Sequence, residues 1–167
     1  MGEQHLWRLC SLVAPLMNDD STPNWSVDLE SKVIIGLRYL ATNAHQTVLA
    51  DTLGVCQKTV SNAIKEFVAA LNHPGIVDKF LSFRLDDATY CRRNADRFAR
   101  LSLLPNVIGA IDGSLLPILR PPHSGWEYYC RKRYCALNVL AVVDARGRFM
   151  YVNSNFPALY MTPQCTI

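Results

Sequence analysis

The chain has 167 residues, half of them hydrophobic and 19% charged, with a formal net charge of +3. That composition supports a packed core in one domain of common size or two small ones; it excludes disorder as the dominant state, and no apolar run reaches the ~20 residues of a membrane-spanning helix. Charge is unevenly spread: residues 1–83 hold 6 basic and 8 acidic side chains, residues 84–167 hold 11 and 6, so the second half is the one suited to polyanions, although a solvated basic face has the same signature.

Leu6, Leu9, Val13 and Leu16 recur at helical spacing, which predicts a short helix over 1–17 ending near Pro15–Asn18. Arg8 interrupts the apolar stretch 5–17 and no basic segment precedes it, so it does not read as a secretory leader. Asn18 to Asn24 is a linker by turn chemistry. Ser26 can cap the next helix, whose apolar face is Leu29, Val33, Leu37 and Leu40 and which Asn43 ends. Thr47 can cap a short helix carrying Leu49, Ala50 and Leu53, and Gly54 permits a sharp turn. A third helix carries Val60, Ile64, Phe67, Val68 and Leu71 on one face and stops at His73-Pro74-Gly75.

Residues 85–101 predict a further amphipathic helix, with Cys91, Ala95 and Phe98 on one face, Leu101 close by, and Arg92, Arg93, Arg97 and Arg100 toward the other. After Pro105 the period becomes strand-like. Four runs are expected as consecutive antiparallel strands: Val107–Ile111, Leu115–Leu119, Leu137–Val143 and Arg148–Asn153. A polar, aromatic connection spans 120–136, and Asp144-Ala145-Arg146-Gly147 forms a tight turn.

Gln46–Phe67 has helix–turn–helix spacing. Ala50 supplies the small residue that lets the second helix approach, Gly54 sits in the turn, and Val55 and Val60 plug the angle. In that geometry Gln57, Lys58, Thr59, Ser61 and Asn62 face the major groove of duplex DNA and Lys65 reaches a phosphate. A plain three-helix bundle produces the same spacing, so both readings stand.

Val107 to Ser114 places Asp112 at the end of an apolar strand, with Gly113 leaving it accessible. A carboxylate there suits a hard divalent cation, or it satisfies turn amides. Asp144 reads as a turn residue, Glu127 has no evident partner, and the four histidines form no triad. Trp126 to Tyr134 interleaves aromatic residues with Arg131, Lys132 and Arg133, a pattern that suits a nucleic-acid backbone or a loop packed on the sheet. The six cysteines, at 10, 56, 91, 130, 135 and 165, include no C-x-x-C pair, which predicts buried reduced thiols rather than a zinc module.

Four stretches taken in order carry a resemblance: V-I-G-A-I-D-G-S at 107–114, Y-Y-C-R-K-R-Y-C-A-L-N at 128–138, V-V-D-A-R-G-R-F at 142–149 and N-F-P at 155–157. Together they resemble the Harbinger (PIF/Harbinger) DDE transposases and the nucleases derived from them, and 26–72 is similar to the helix–turn–helix upstream in that family. The resemblance implies an α+β chain: an N-terminal helix and linker (1–25), a helix–turn–helix module (26–75), a connecting basic helix (76–104) and an incomplete ribonuclease H-like antiparallel sheet (105–167).

It also implies that Asp112 is the first of three acids holding two divalent cations, Mg²⁺ or Mn²⁺, for phosphodiester cleavage. Double-stranded DNA is the implied partner, alongside a second DNA-binding protein or another copy of the chain, in the nucleus or also the cytoplasm, with no membrane. After Pro157 the sequence departs from the family. The Gly-Ser is lost, Thr162 stands near the place of the second acid, and no third acid follows. The expectation is therefore a truncated, catalytically inactive form that holds metal only weakly; the alternatives are a DNA- or protein-binding module without catalysis and a non-functional fragment.

Overall fold

Helix starts in this chain are set by short polar side chains. Asp28 accepts a hydrogen bond from the Ser31 N–H, and Asp87 accepts one from the Tyr90 N–H at 2.9 Å. The computed structural model describes residues 3–17, 27–101, 104–123 and 125–159. They form six helices: α1 (Glu3–Val13, continued by a 3₁₀ turn, Ala14–Leu16), α2 (Leu29–Thr42), α3 (Gln46–Leu53), α4 (Gln57–Leu71), α5 (Pro74–Phe80) and α6 (Ala88–Ala99). Three strands follow: β1 (Ala110–Pro117), β2 (Ala136–Val143) and β3 (Phe149–Pro157). The fold is α+β, in two units, residues 1–79 and 80–167.

In the first unit α2 is the central element because it buries two faces. Val33 joins Val13, Phe67, Ala70 and Ile76 in one cluster, and Ile35 joins Leu49, Ala50, Val60, Ala63 and Ile64 in another. The predicted stripe ended at Leu40, which is exposed; Ile35 and Gly36 are buried instead, because the helix packs against α4 as well as α1. At Gly36 a Cβ would stand 2.1 Å from the Phe67 ring, so only glycine allows this approach.

Two helix starts differ from expectation. Ser26 lies outside the described residues and Asp28 is the cap of α2. Thr47 is not a cap: α3 begins one residue earlier, behind His45, with no side chain capping it. The His73-Pro74-Gly75 stop also begins α5. Proline lacks the N–H that a first helical position would leave unpaired, and the His73 ring accepts from the Gly75 N–H at 3.2 Å.

In the second unit the strand order is β1-β2-β3, all antiparallel. Where four runs were expected there are three strands, because two of those runs belong to β1. Gly113 does not break it: it pairs with Leu140, between Asp112 opposite Ala141 and Ser114 opposite Val139. Eight successive pairs with β2 outweigh the weak strand preference of a glycine. Asp112 is consequently inside a strand rather than at its end. The strand stops at Pro117, and Leu119 is 94% exposed.

One face of the sheet meets α6. Tyr90 donates its hydroxyl to the Met150 sulfur at 2.9 Å, and the buried Asn94 approaches that sulfur at 3.7 Å. Gly109 is closed in there as well, since a Cβ would stand 2.9 Å from both Met150 and Val142. Arg92, Arg93 and Arg100 are exposed and Arg97 is half-buried. Leu101 lies past the helix end, 68% exposed, and is not part of its apolar side.

Candidate functional site

Asp112 lies on the opposite face from Val142, because successive strand residues alternate. Around it Ser114, Leu116, Val139, Ala141, Val143 and Phe149 line a shallow concavity of about 420 Å³. The face is apolar apart from Asp112 and Ser114. The carboxylate is exposed, and its Oδ1 accepts from the Gly113 N–H at 2.8 Å.

Among the described residues no three His, Cys, Asp or Glu side chains converge as a metal site. One carboxylate with an oxygen directed to solvent can ligate a hard cation, but the described residues do not fit a two-metal centre. Thr162, where a second acid is expected, lies outside the described residues together with 160–167.

Asp144 plays the turn role expected of it. Its Oδ1 accepts from the N–H groups of Arg146 and Arg148, both at 2.9 Å, and its Oδ2 accepts from the Arg148 guanidinium at 2.9 and 2.7 Å. Burial pushes this carboxyl up. The backbone and guanidinium hydrogen bonds of Arg148, with the Arg146 N–H, outweigh that and hold it below the ordinary carboxylate range.

The second basic feature is a small hairpin. Tyr129 and Cys135 bridge, the Tyr134 carbonyl accepts from the Cys130 N–H, and the Cys130 carbonyl accepts from the Arg133 N–H at 2.9 Å. This closure lifts Arg131, Lys132 and Arg133 onto an exposed tip, with Arg133 in the left-handed region at φ 67°. Cys130 is buried with Ala136 and Ala158, and Tyr134 packs beside them, so part of the aromatic segment anchors the loop. Trp126 and Tyr129 stay exposed at 64% and 51%. Cys130 and Cys135 are buried as expected, but Cys56 is exposed, and Cys165 lies outside the described residues.

In the first unit, α3 and α4 meet through Ala50 and Val60, buried in one cluster with Val55 packed against it. Gly54 between them adopts φ 66°, and the Ala50 carbonyl accepts from the Val55 N–H at 3.1 Å. On α4, Lys58, Ser61, Asn62 and Lys65 follow i, i+3, i+4, i+7 spacing and share one face. Lys58, Asn62 and Lys65 are exposed, as is Gln57, and Ser61 is half-buried. Thr59 turns its hydroxyl to Cys56 Sγ at 3.1 Å and is half-buried. That hydrogen bond, aided by backbone N–H groups at the helix start, holds the Cys56 thiol below its ordinary value. The one acid of α4, Glu66, is neutralised by Lys32 at 2.9 Å.

A polar recess of about 530 Å³ adjoins this helix. It joins Gln57 to residues of the α2–α3 corner: Tyr39, Asn43, His45, Gln46 and Thr47. The sequence reading missed it because its residues come from three elements. The available signal was the string Asn43-Ala44-His45-Gln46-Thr47, too polar for a mere link between two apolar helices.

No family model matches the chain, and no solved structure does. Curated relatives are found. The "Putative nuclease HARBI1" of Rattus norvegicus is 27% identical over 154 residues, which cover 92% of this chain and 43% of that protein. Its Homo sapiens counterpart gives the same identity and coverage. "Protein ALP1-like" of Arabidopsis thaliana is 29% identical over 159 residues, 89% of this chain and 37% of its own length. The chain thus spans about two fifths of the curated relatives it matches. These matches run through both the helical unit and the sheet, and with the ordered motifs from Val107 to Pro157 they support the likeness to the Harbinger transposase-derived nucleases.

Proposed function

We propose that this chain is a DNA-binding protein of the transposase-derived nuclease type in which α3 and α4 act as a helix–turn–helix on duplex DNA. The observation that carries the reading is the α4 face: two lysines, a serine and an asparagine at helical spacing, with the only acid of the helix neutralised by Lys32. Asn62 suits an adenine edge, Lys58 and Lys65 suit phosphates, and Gln57, Thr59 and Ser61 complete the surface. Arg131, Lys132 and Arg133 add sequence-independent attraction from the hairpin tip. The sheet is the opening of a ribonuclease H-like fold, and Asp112 offers one carboxylate to Mg²⁺ or Mn²⁺. Residues 1–167 by themselves do not cleave DNA, since one carboxylate cannot hold two metals in register. The helical half carries a net negative charge, so useful affinity draws on the basic second half, on a second copy or on another DNA-binding protein. The nucleus is the place where this activity makes sense.

A binding titration on randomised duplexes at low salt tests the reading. Wild type should enrich a preferred sequence, and Asn62→Ala should weaken that site by about 1–3 kcal/mol. Lys58→Ala should weaken all sequences evenly. Absence of preference in wild type, or identical binding by the K58A/S61A/N62A variant, would make the segment a structural bundle. Incubation with plasmid and Mg²⁺ or Mn²⁺ should leave the DNA intact; nicking that vanishes in Asp112→Ala would overturn the inactive assignment.

A further inference from the structure

We infer that the recess between the α2–α3 corner and the start of α4 is a phosphodiester clamp built from uncharged donors. It rests on the DNA-binding reading above and adds a backbone contact that α4 alone does not supply. Four observations converge on it. The recess holds about 530 Å³, room for a phosphate with part of its flanking sugars. Its lining contains no acidic side chain, although the half of the chain in which it lies is net negative.

The hydroxyls of Tyr39 and Thr47 make no hydrogen bond to any described residue, so both are available to a ligand. The corner itself is held firmly. Asn43 sits in the left-handed region at φ 49°, the Tyr39 carbonyl accepts from its N–H at 2.8 Å, and the Thr42 hydroxyl donates to the Arg38 carbonyl at 2.7 Å while accepting from the Ala44 N–H at 3.3 Å.

The ligand class follows from the donor set. Hydroxyl, carboxamide and imidazole groups around an open recess match the oxygens of a phosphate, which position a protein without reading sequence. A free inorganic anion would have no lysine or arginine partner there. A duplex backbone is held as well by the α4 face, because Gln57 belongs to both the recess and the first turn of α4. Seating a phosphate in the recess fixes how deeply Asn62 enters the groove.

An uncharged clamp has a signature that a lysine contact lacks. Affinity falls for every sequence when it is removed, but the salt slope stays, because the slope tracks how many phosphates cationic groups neutralise. The test uses the full chain and the variants Tyr39→Phe and Thr47→Val, each of which deletes one hydroxyl and keeps the shape. Binding to a fluorescent mixed-sequence duplex should weaken about 5- to 20-fold in the double variant, with an unchanged salt slope. Scanning the same duplex with single methylphosphonate substitutions should reveal one position where wild type loses that factor and the double variant loses nothing.

If wild type and the double variant bind alike, while K58A/S61A/N62A has lost affinity, the clamp is wrong and the helix–turn–helix stands. If wild type binds no duplex at low salt, the parent reading fails and the clamp with it. Thermal melting of the variants at the wild-type temperature excludes a folding defect, and Thr47→Ser, which keeps the hydroxyl, should bind close to wild type where Thr47→Val loses affinity.

Discussion

Two aspartates of the second unit show how the same side chain serves opposite ends. Asp112 faces solvent from an apolar surface, with one neighbouring N–H as its partner. Asp144 is buried and takes two backbone N–H groups and a bidentate guanidinium. The Asp144 carboxyl is therefore more acidic folded than unfolded. Its stabilisation is complete above the ordinary carboxylate value of 3.8 and drains away as pH falls below that, through the lower folded value. Asp144→Asn should cost about 1–3 kcal/mol at neutral pH, measured by urea denaturation, and the variant should show a flatter acid limb. A substitution that leaves the acid limb unchanged would mean that other carboxylates govern it. The role of Asp144 was legible in sequence because turn chemistry is local: donors and acceptor lie within five residues. The setting of Asp112 was not, because the open face around it is assembled from three strands.

At the scale of elements, amphipathic periodicity identified α1, α2, α3, α4 and α6, while two breaker residues misled. Pro74 was read only as a stop, although the residue that ends one helix can begin the next. Gly113 was read as a gap, although its ladder partners were too distant in sequence to be seen. Gly36 gave no signal at all, since its requirement comes from Phe67 on another helix. Gly36→Ala should destabilise the helical unit by about 2–4 kcal/mol, more than a change of one methyl group suggests, because ring and helix must move apart. A circular dichroism melt checks it, and Phe67→Leu in the Gly36→Ala background should restore part of the loss by opening space. The hairpin tip belongs to this scale too. Reversing the charges of Arg131, Lys132 and Arg133 should flatten the salt dependence of DNA binding by up to about three ions' worth, measured as the slope of log affinity against log salt. An unchanged slope would assign the tip to a protein partner or to solvent.

The whole molecule joins a helical unit with excess negative charge to a sheet unit with excess positive charge. Composition alone revealed that division. What it could not reveal is how open the sheet face around Asp112 stays among the described residues, because burial depends on which elements pack on each face. The topology carries a consequence for the order of events in folding. Each strand pairs with the next in sequence, but the two closures differ: β2 meets β3 across the short Asp144 turn, with Val143 opposite Phe149, whereas β1 reaches β2 only after 118–135 has been looped out. Chain entropy favours the first closure, so the β2–β3 hairpin is the expected nucleus and β1, with its aspartate, joins late. Stopped-flow refolding should show this. Asp144→Asn should slow folding nearly in proportion to its loss of stability, whereas Leu115→Ala in β1 should chiefly hasten unfolding. The strand that bears Asp112 is then also the last piece of the sheet to arrive and the first to leave.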